Sequence, residues 1–288
     1  MDSVFAMMSV TTPVVVGGAA GVAAFLGLYP PTPRDLGGAR DLDDQAERVK
    51  IPVLEGDHVE GWFLPGSAPV ALLLLHGYGR THHRMWRYAG FLGTSGYSLL
   101  AIDFRSSRRS RRLPTTLGVH ERHDARAAYH WLRQRTGAAQ LAVMGESLGG
   151  TVALLLAGEE RDVAAVVVDC PFANGRLAVE DMLGRFLRLP RWPSAPMARA
   201  LGIWATGRDL YEVDAERAAR RLHGRPILFI HSAKDERLTP HNTQRLWEAA
   251  GAKDPVWWVP GVGHNQAWRA HPDEYERRVM EFLRKTVG

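Results

Sequence analysis

Along residues 59–260, short apolar runs alternate with stretches whose apolar positions recur every three to four residues. Seven runs read as strands: Val59–Leu64, 70–77 ("VALLLLHG"), 97–104 ("YSLLAIDF"), 140–145, 163–169 ("VAAVVVD"), 226–231 and 255–260. Several carry no polar alternation, as expected of strands covered on both faces. Helical spacing falls at 83–94, 118–135, 149–158, 240–250 and 272–286. Strand and helix in turn predict an α/β fold with a mostly parallel central sheet and helices on both faces. Functional groups in such sheets gather at the C-terminal ends of the strands.

The N-terminal pattern is different. From Ser3 to Pro33 there is no charged residue, and Val4 to Tyr29 is mostly Val, Ala, Gly, Leu, Phe and Met. That is longer than the roughly 20 apolar residues a bilayer requires, so residues 1–33 are predicted to form a single-pass transmembrane anchor. A cleaved signal peptide, giving a secreted domain, and an apolar arm packed on the domain are the competing readings. No Lys or Arg precedes the span while Arg34, Arg40 and Arg48 follow it, which favours a cytoplasmic catalytic domain.

Residues 34–47, in a stretch rich in Pro, Gly and Asp, read as a linker, and 48–288 as the folded domain. Residues 171–224 form a long insertion between two strands. Its "DMLGRFLRLPRWPSAPMARALGIW" predicts a small helical cap suited to line an acyl pocket.

A chain of 288 residues with 45% hydrophobic positions buries one full core. The net charge of +5 rests on arginine, because only four of the 36 basic side chains are Lys. There is no interleaving of basic and aromatic residues, zinc-finger spacing or recognition-helix signature, which argues against a nucleic-acid partner. A single cysteine, Cys170, rules out an intrachain disulfide and a multi-cysteine metal site. Following an apolar strand, it reads as a buried, inert thiol.

The candidate chemistry centres on "LAVMGESLGGTVALLLAG" (141–158). "GESLG" fits G-x-S-x-G, in which Gly145 and Gly149 let strand and helix approach closely while Ser147 is held on a strained turn. A serine hydroxyl is a weak nucleophile that needs a base, and the base needs an acceptor. In this architecture the acid and then the histidine follow the serine along the chain. Asp235 lies just past the run 226–231 and His264 in a glycine-bearing loop past the last one. Glu236 or Asp169 could replace Asp235, and His231 reads as structural. For the oxyanion hole, "LLLLHGYGR" supplies the loop after the earlier strand and with it the N–H of Tyr78, and the elbow offers that of Leu148.

Together "HGYGRTHHRMWRYAGFLGTSGYSLLAIDFR", "GESLGG", "PILFIHSAKDERLTP" and "GVGH" resemble the α/β-hydrolase superfamily over nearly all of residues 48–286. The apolar N-terminal span, the "PPTP" linker and the entry "IPVLEGDHVEGWFLP" are similar to the membrane-anchored Bem46-like and serine-aminopeptidase-like branch. The resemblance implies a triad of Ser147, Asp235 and His264, and no cofactor. The chain departs from that branch where "DFRSSRRSRRLP" replaces a glycine-rich D-x-R-G-x-G-x-S. Arg105, Arg108, Arg109, Arg111 and Arg112 read either as a docking patch for anionic lipid or as a solvated loop.

An aspartate-nucleophile hydrolase is disfavoured by Ser147 at the elbow. A metal hydrolase is disfavoured because His82 and His83 lack H-E-x-x-H spacing and read as a surface pair at a helix start. The expected function is a serine hydrolase of carboxylic esters working through an acyl-enzyme. A peptidase, amidase or thioesterase using the same triad is the alternative, and a membrane-tethered binding protein without turnover is the reading from another class.

Overall fold

The computed structural model describes residues 27–29, 46–53, 57–107 and 113–288. Apart from residues 27–29, the predicted anchor lies outside the described residues, as do Arg108, Arg109, Arg111 and Arg112. Among the described residues no helix is long and apolar enough to cross a membrane.

Eight strands form one sheet: β1 (Glu47–Pro52), β2 (His58–Leu64), β3 (Val70–Leu75), β4 (Ser98–Asp103), β5 (Gln140–Glu146), β6 (Val163–Asp169), β7 (Ile227–Ser232) and β8 (Trp257–Val259). Their order across the sheet is β1-β2-β4-β3-β5-β6-β7-β8. β2 runs antiparallel to β1 and β4, and every pairing from β4 onward is parallel. β1 was not anticipated as a strand. It is an edge strand in which Ile51 is the one fully buried side chain, so it carries no apolar run.

Ten helices are described: α1 (His82–Trp86), α2 (Ala89–Gly93), α3 (Glu121–Thr136), α4 (Leu148–Glu159), α5 (Gly175–Asp181), α6 (Arg191–Thr206), α7 (Ala215–Arg220), α8 (Pro240–Ala250), α9 (Ala267–Ala270) and α10 (Pro272–Thr286). The helix predicted over 83–94 is broken into α1 and α2 around Arg87 and Tyr88, both of which turn toward the nucleophile strand.

The pleat of β3 explains the layering. Ala71, Leu73 and Leu75 enter one core with α3, α4, α7 and α8, whereas Val70, Leu72 and Leu74 enter the other with α1, α2 and α10. Each fully buried Leu contributes about 1.5 to 3 kcal/mol, which drives the two-faced sandwich. α4 sits over the sheet centre with all ten residues from Leu148 to Ala157 buried, which is why its sequence shows no polar stripe.

The segment after β6 leaves and returns at a single neck. Asn174 bridges Asp214, and the Gly175 N–H donates to the Val213 carbonyl at 2.9 Å. A Cβ on Gly175 would stand 1.8 Å from the Leu210 carbonyl oxygen, so only glycine fits there. Between these points lie α5, one π-helical turn (Met182–Phe186) and α6, gathered around Val179, Leu183, Ala195, Ala198 and Leu210. Beyond the neck, α7 packs Ala218 against Gly158 of α4 and belongs to the main core.

Candidate active site

β5 ends at Glu146, and Ser147 follows with φ 51° and ψ −116°, a conformation side chains rarely adopt. A Cβ on Gly145 would fall 2.2 Å from the Gly149 carbonyl oxygen, and one on Gly149 would fall 2.1 Å from that of Leu75. Both glycines are therefore required by backbone contact. The Ser147 N–H donates to the Asp169 carbonyl at 2.8 Å, tying the turn to the neighbouring strand. α4 begins at the next residue, so its N-terminal partial positive charge faces the serine.

Asp235 follows β7 and is buried. Its Oδ1 accepts from the N–H groups of Arg237 (2.8 Å) and Leu238 (2.9 Å), and its Oδ2 lies 2.5 Å from His264 Nδ1. Burial opposes the Asp235 charge, but His264 and these two N–H groups hold its pKa below the usual carboxylate value. An ionised carboxylate at Nδ1 makes that nitrogen the proton carrier and leaves Nε2 as acceptor. Nε2 lies 3.0 Å from Ser147 Oγ. The structure thus brings Ser147, His264 and Asp235 into one hydrogen-bonded row.

The His264 loop is itself constrained. Asn265 adopts φ 52° and donates through Nδ2 to the Asp169 carbonyl at 3.0 Å, while the Glu236 carboxylate accepts the His264 N–H at 3.3 Å. A Cβ on Gly263 would sit 2.7 Å from Glu236 Oε2. Of the alternatives to Asp235, Glu236 therefore braces the histidine backbone, and Asp169 contacts Tyr275 at 3.3 Å. His231 donates to or accepts from Thr243 at 2.8 Å, and burial pushes its pKa down to about 4, so it stays neutral beside Asp235.

The two proposed oxyanion donors lie on adjoining backbone. A Cβ on Gly77 would be 3.3 Å from Ser147 Cβ, which sets the turn holding Tyr78 against the elbow. Among the described residues neither the Tyr78 nor the Leu148 N–H has a hydrogen-bond partner. The Tyr78 hydroxyl donates to the Gly27 carbonyl, and burial pushes its pKa up to about 12.

One sequence expectation is corrected. His82 is buried, stacked on Trp62 at 3.3 Å between ring centroids, and its Nδ1 lies 3.1 Å from Asp103, because α1 folds back over the sheet. It is no surface residue. Arg105, the one described arginine of the candidate anionic-lipid patch, donates through Nε to Asp124 at 2.7 Å, and its side chain is largely buried. Cys170 is buried, as its strand implied. Cys170, Asp235 and His264 place one ligand atom each within 4.8 Å of one another, yet burial pushes the thiol well up and keeps it protonated, while the other two atoms engage each other.

Other contributors were invisible in the sequence. Glu146, the variable residue before the serine, is fully enclosed and pairs with Arg84 at 2.9 Å and with Arg87 and Tyr88. Arg84 also donates to the Asn265 carbonyl at 2.7 Å, so one side chain links the elbow to the His264 loop. A charged residue between two apolar runs was a signal that a buried counter-ion exists, but nothing named Arg84 or Arg87. Leu28 is equally unexpected: it is 5% exposed, packs with Val179, Leu183 and Leu210, and accepts through its carbonyl from the Thr115 N–H at 2.8 Å.

A cavity of about 310 Å³ opens beside Ser147 and His264. Val179, Leu183, Leu187 and Leu210 of the insertion, with Leu28, form its apolar wall, and Arg80, Arg84, Arg237 and Arg269 also line it.

The family model described as the alpha/beta hydrolase fold matches residues 70–205, from β3 through most of α6. The uncharacterized protein MT2364 of Mycobacterium tuberculosis is 30% identical over 271 residues, covering 90% of this chain and 87% of its own. The chain belongs to the α/β-hydrolase superfamily. Among solved structures, this hydrolase-fold chain is similar to the Pyrococcus furiosus esterase Pf2001, at 24% identity and a TM-score of 0.75 over 91% of this chain and 98% of that one. It is also similar to the Pyrococcus horikoshii acylaminoacyl peptidase, at 16% identity and a TM-score of 0.63 over 83% of this chain and 41% of that one. At these identities the likeness is one of fold.

Proposed function

We propose that the protein is a serine hydrolase of carboxylic esters. The observation that carries this reading is the row in which Asp235 lies 2.5 Å from His264 Nδ1 and His264 Nε2 lies 3.0 Å from Ser147 on the strained elbow. In the proposed reaction Ser147 Oγ attacks the ester carbonyl carbon as its proton passes to His264 Nε2. The tetrahedral oxyanion is received by the N–H groups of Tyr78 and Leu148. Collapse breaks the bond to the leaving oxygen, which takes the proton from His264 and departs as the alcohol. Water then repeats the sequence on the acyl-enzyme and releases the acid.

Asp235 orients the imidazole and stabilises its positive charge without being protonated. Asp235→Asn is therefore expected to keep the fold and to lower kcat for a nitrophenyl ester by about 10⁴, since an amide at Oδ2 favours the wrong tautomer. A kcat within tenfold of wild type would remove Asp235 from this role.

The apolar wall suits an acyl chain, and Leu28 is part of it. In the full-length chain, Leu28→Ala is expected to move the best nitrophenyl ester toward longer acyl chains and Leu28→Trp toward shorter ones. An unchanged chain-length profile in both variants would show that Leu28 closes the core without shaping the pocket.

The fold shared with the Pyrococcus horikoshii acylaminoacyl peptidase supports an amidase as the second reading, using the same side chains. The ratio of matched anilide to ester rates separates the two. The narrower placement among membrane-anchored members of the superfamily, with residues 1–33 as the anchor, belongs to this proposal as well.

A further inference from the structure

The cavity's apolar residues come mostly from the insertion, with Leu28, Leu117, Leu148 and Leu238, whereas its arginines come from the segment after β3 (Arg80, Arg84), the loop after β7 (Arg237) and α9 (Arg269). Only two carboxylates, Glu146 and Glu236, line the same space. Glu146 is committed to Arg84 and Arg87, and Glu236 holds the His264 N–H with Arg237 Nε at 4.0 Å from its other oxygen. Among the described residues neither Arg80 nor Arg269 forms an ion pair.

Arg80 sits on the same tight turn as Tyr78, its N–H donating to the Gly77 carbonyl at 3.2 Å. It is exposed at the mouth of the cavity, and partial desolvation together with the neighbouring Arg84 and Arg237 charges pushes its pKa down. An arginine does not deprotonate in water, so the neighbouring Arg84 and Arg237 charges repel it, and an anion among them would offset that repulsion. Direction follows from the reaction itself. His264 must reach the leaving oxygen, so the leaving group lies over the His264 loop, and Arg269 follows that loop while Arg84 grips its Asn265 carbonyl.

We infer that the leaving-group side of this cavity binds an anion, a phosphate or a carboxylate, so that the preferred substrate is an ester of an apolar acyl chain with an anionic alcohol. The inference rests on the ester-hydrolase reading and names its substrate class. Guanidinium groups suit either oxyanion through paired N–H donors, with Arg80 and Arg269 the free members of the group.

The test compares three decanoyl esters on the full-length protein: 1-decanoylglycerol, 1-decanoylglycerol 3-phosphate and the decanoyl ester of glyceric acid. The expected result is a kcat/KM about tenfold or more higher for an anionic ester than for the neutral one, carried by KM and reduced by salt. The phosphate and carboxylate arms identify the anion. In Arg80→Gln and Arg269→Gln the ratio of anionic to neutral kcat/KM is expected to fall toward one, with partial recovery in Arg80→Lys. Equal rates on all three esters in wild type, or equal loss on all three in the variants, would overturn the inference while leaving the hydrolase reading intact. No turnover of any ester, with no reaction of Ser147 toward a fluorophosphonate, would overturn both.

Discussion

Ser147→Ala is expected to reduce ester hydrolysis to background, a loss on the order of 10⁶ in kcat if the row of three acts as a unit. The reason lies in the coupling of the groups. Without Oγ there is no atom for His264 Nε2 to deprotonate, so the imidazole and Asp235 lose their role at the same time. His264→Ala should therefore cost about as much, and the double variant no more than either single one, since contributions within such a unit do not add. The alanine methyl fits the space of the hydroxymethyl group and keeps the Ser147 N–H bond to Asp169, so the variant should unfold at the wild-type denaturant midpoint. Additive losses in the double variant would show that serine and histidine act on separate steps.

The second large effect is on stability. Glu146→Gln is expected to destabilise the protein by about 3 to 5 kcal/mol, because it leaves Arg87 and Arg84 as buried or half-buried cations without their counter-ion. Burial alone would raise the Glu146 pKa, yet Arg87, Arg84 and the Tyr88 hydroxyl bring it down from 4.5 to about 2. A carboxyl lowered in the folded state adds stability in full above its unfolded value, and loses it as pH falls through the folded value. Wild-type stability should thus fall between pH 4.5 and about 2, and Glu146→Gln should show a shallower fall there. Asp169 carries the opposite sign. Burial and the Glu146 charge raise its pKa from 3.8 to about 6, so its contribution is present below 3.8 and is lost as pH rises through 6. Urea unfolding midpoints across pH for wild type and Glu146→Gln measure both limbs, and superimposable acid limbs would show that Glu146 is not the group responsible.

The sandwich was legible because its signal is local. Leu72 to Leu75 and Val166 to Val168 are continuous apolar runs, and glycine at 145 and 149 has a backbone reason confirmed by 2.2 Å and 2.1 Å approaches. Chain order alone set Asp235 and His264 beside Ser147 as candidates, since each follows a strand and parallel strands deliver their ends to one rim. What stayed hidden was paired across distance. Arg84 reaches Glu146 over 62 positions and Asn265 over 181, and Tyr78 reaches Gly27 over 51. His82 looked like surface because "THHR" is polar, while its burial depends on Trp62 and Asp103 arriving from β2 and β4. Likewise β1 has the composition of a linker and becomes a strand through its ladder with β2.

These long pairings also explain how the site is held. Glu146 and Arg84 tie the elbow to the loop of the base, Asn265 and Ser147 share the Asp169 carbonyl, and Leu28 clamps the cavity wall to the turn bearing Tyr78 through its neighbour Gly27. Positions of reacting groups in a catalytic site must hold within about half an ångström, and such cross-links supply that constraint.

The most direct test of the account is to treat the full-length protein with a fluorophosphonate and map the adduct by peptide mass spectrometry. A single covalent adduct on Ser147 is expected, formed rapidly in wild type and abolished by His264→Ala. No adduct on Ser147 in folded wild-type protein, or undiminished labelling of His264→Ala, would contradict it.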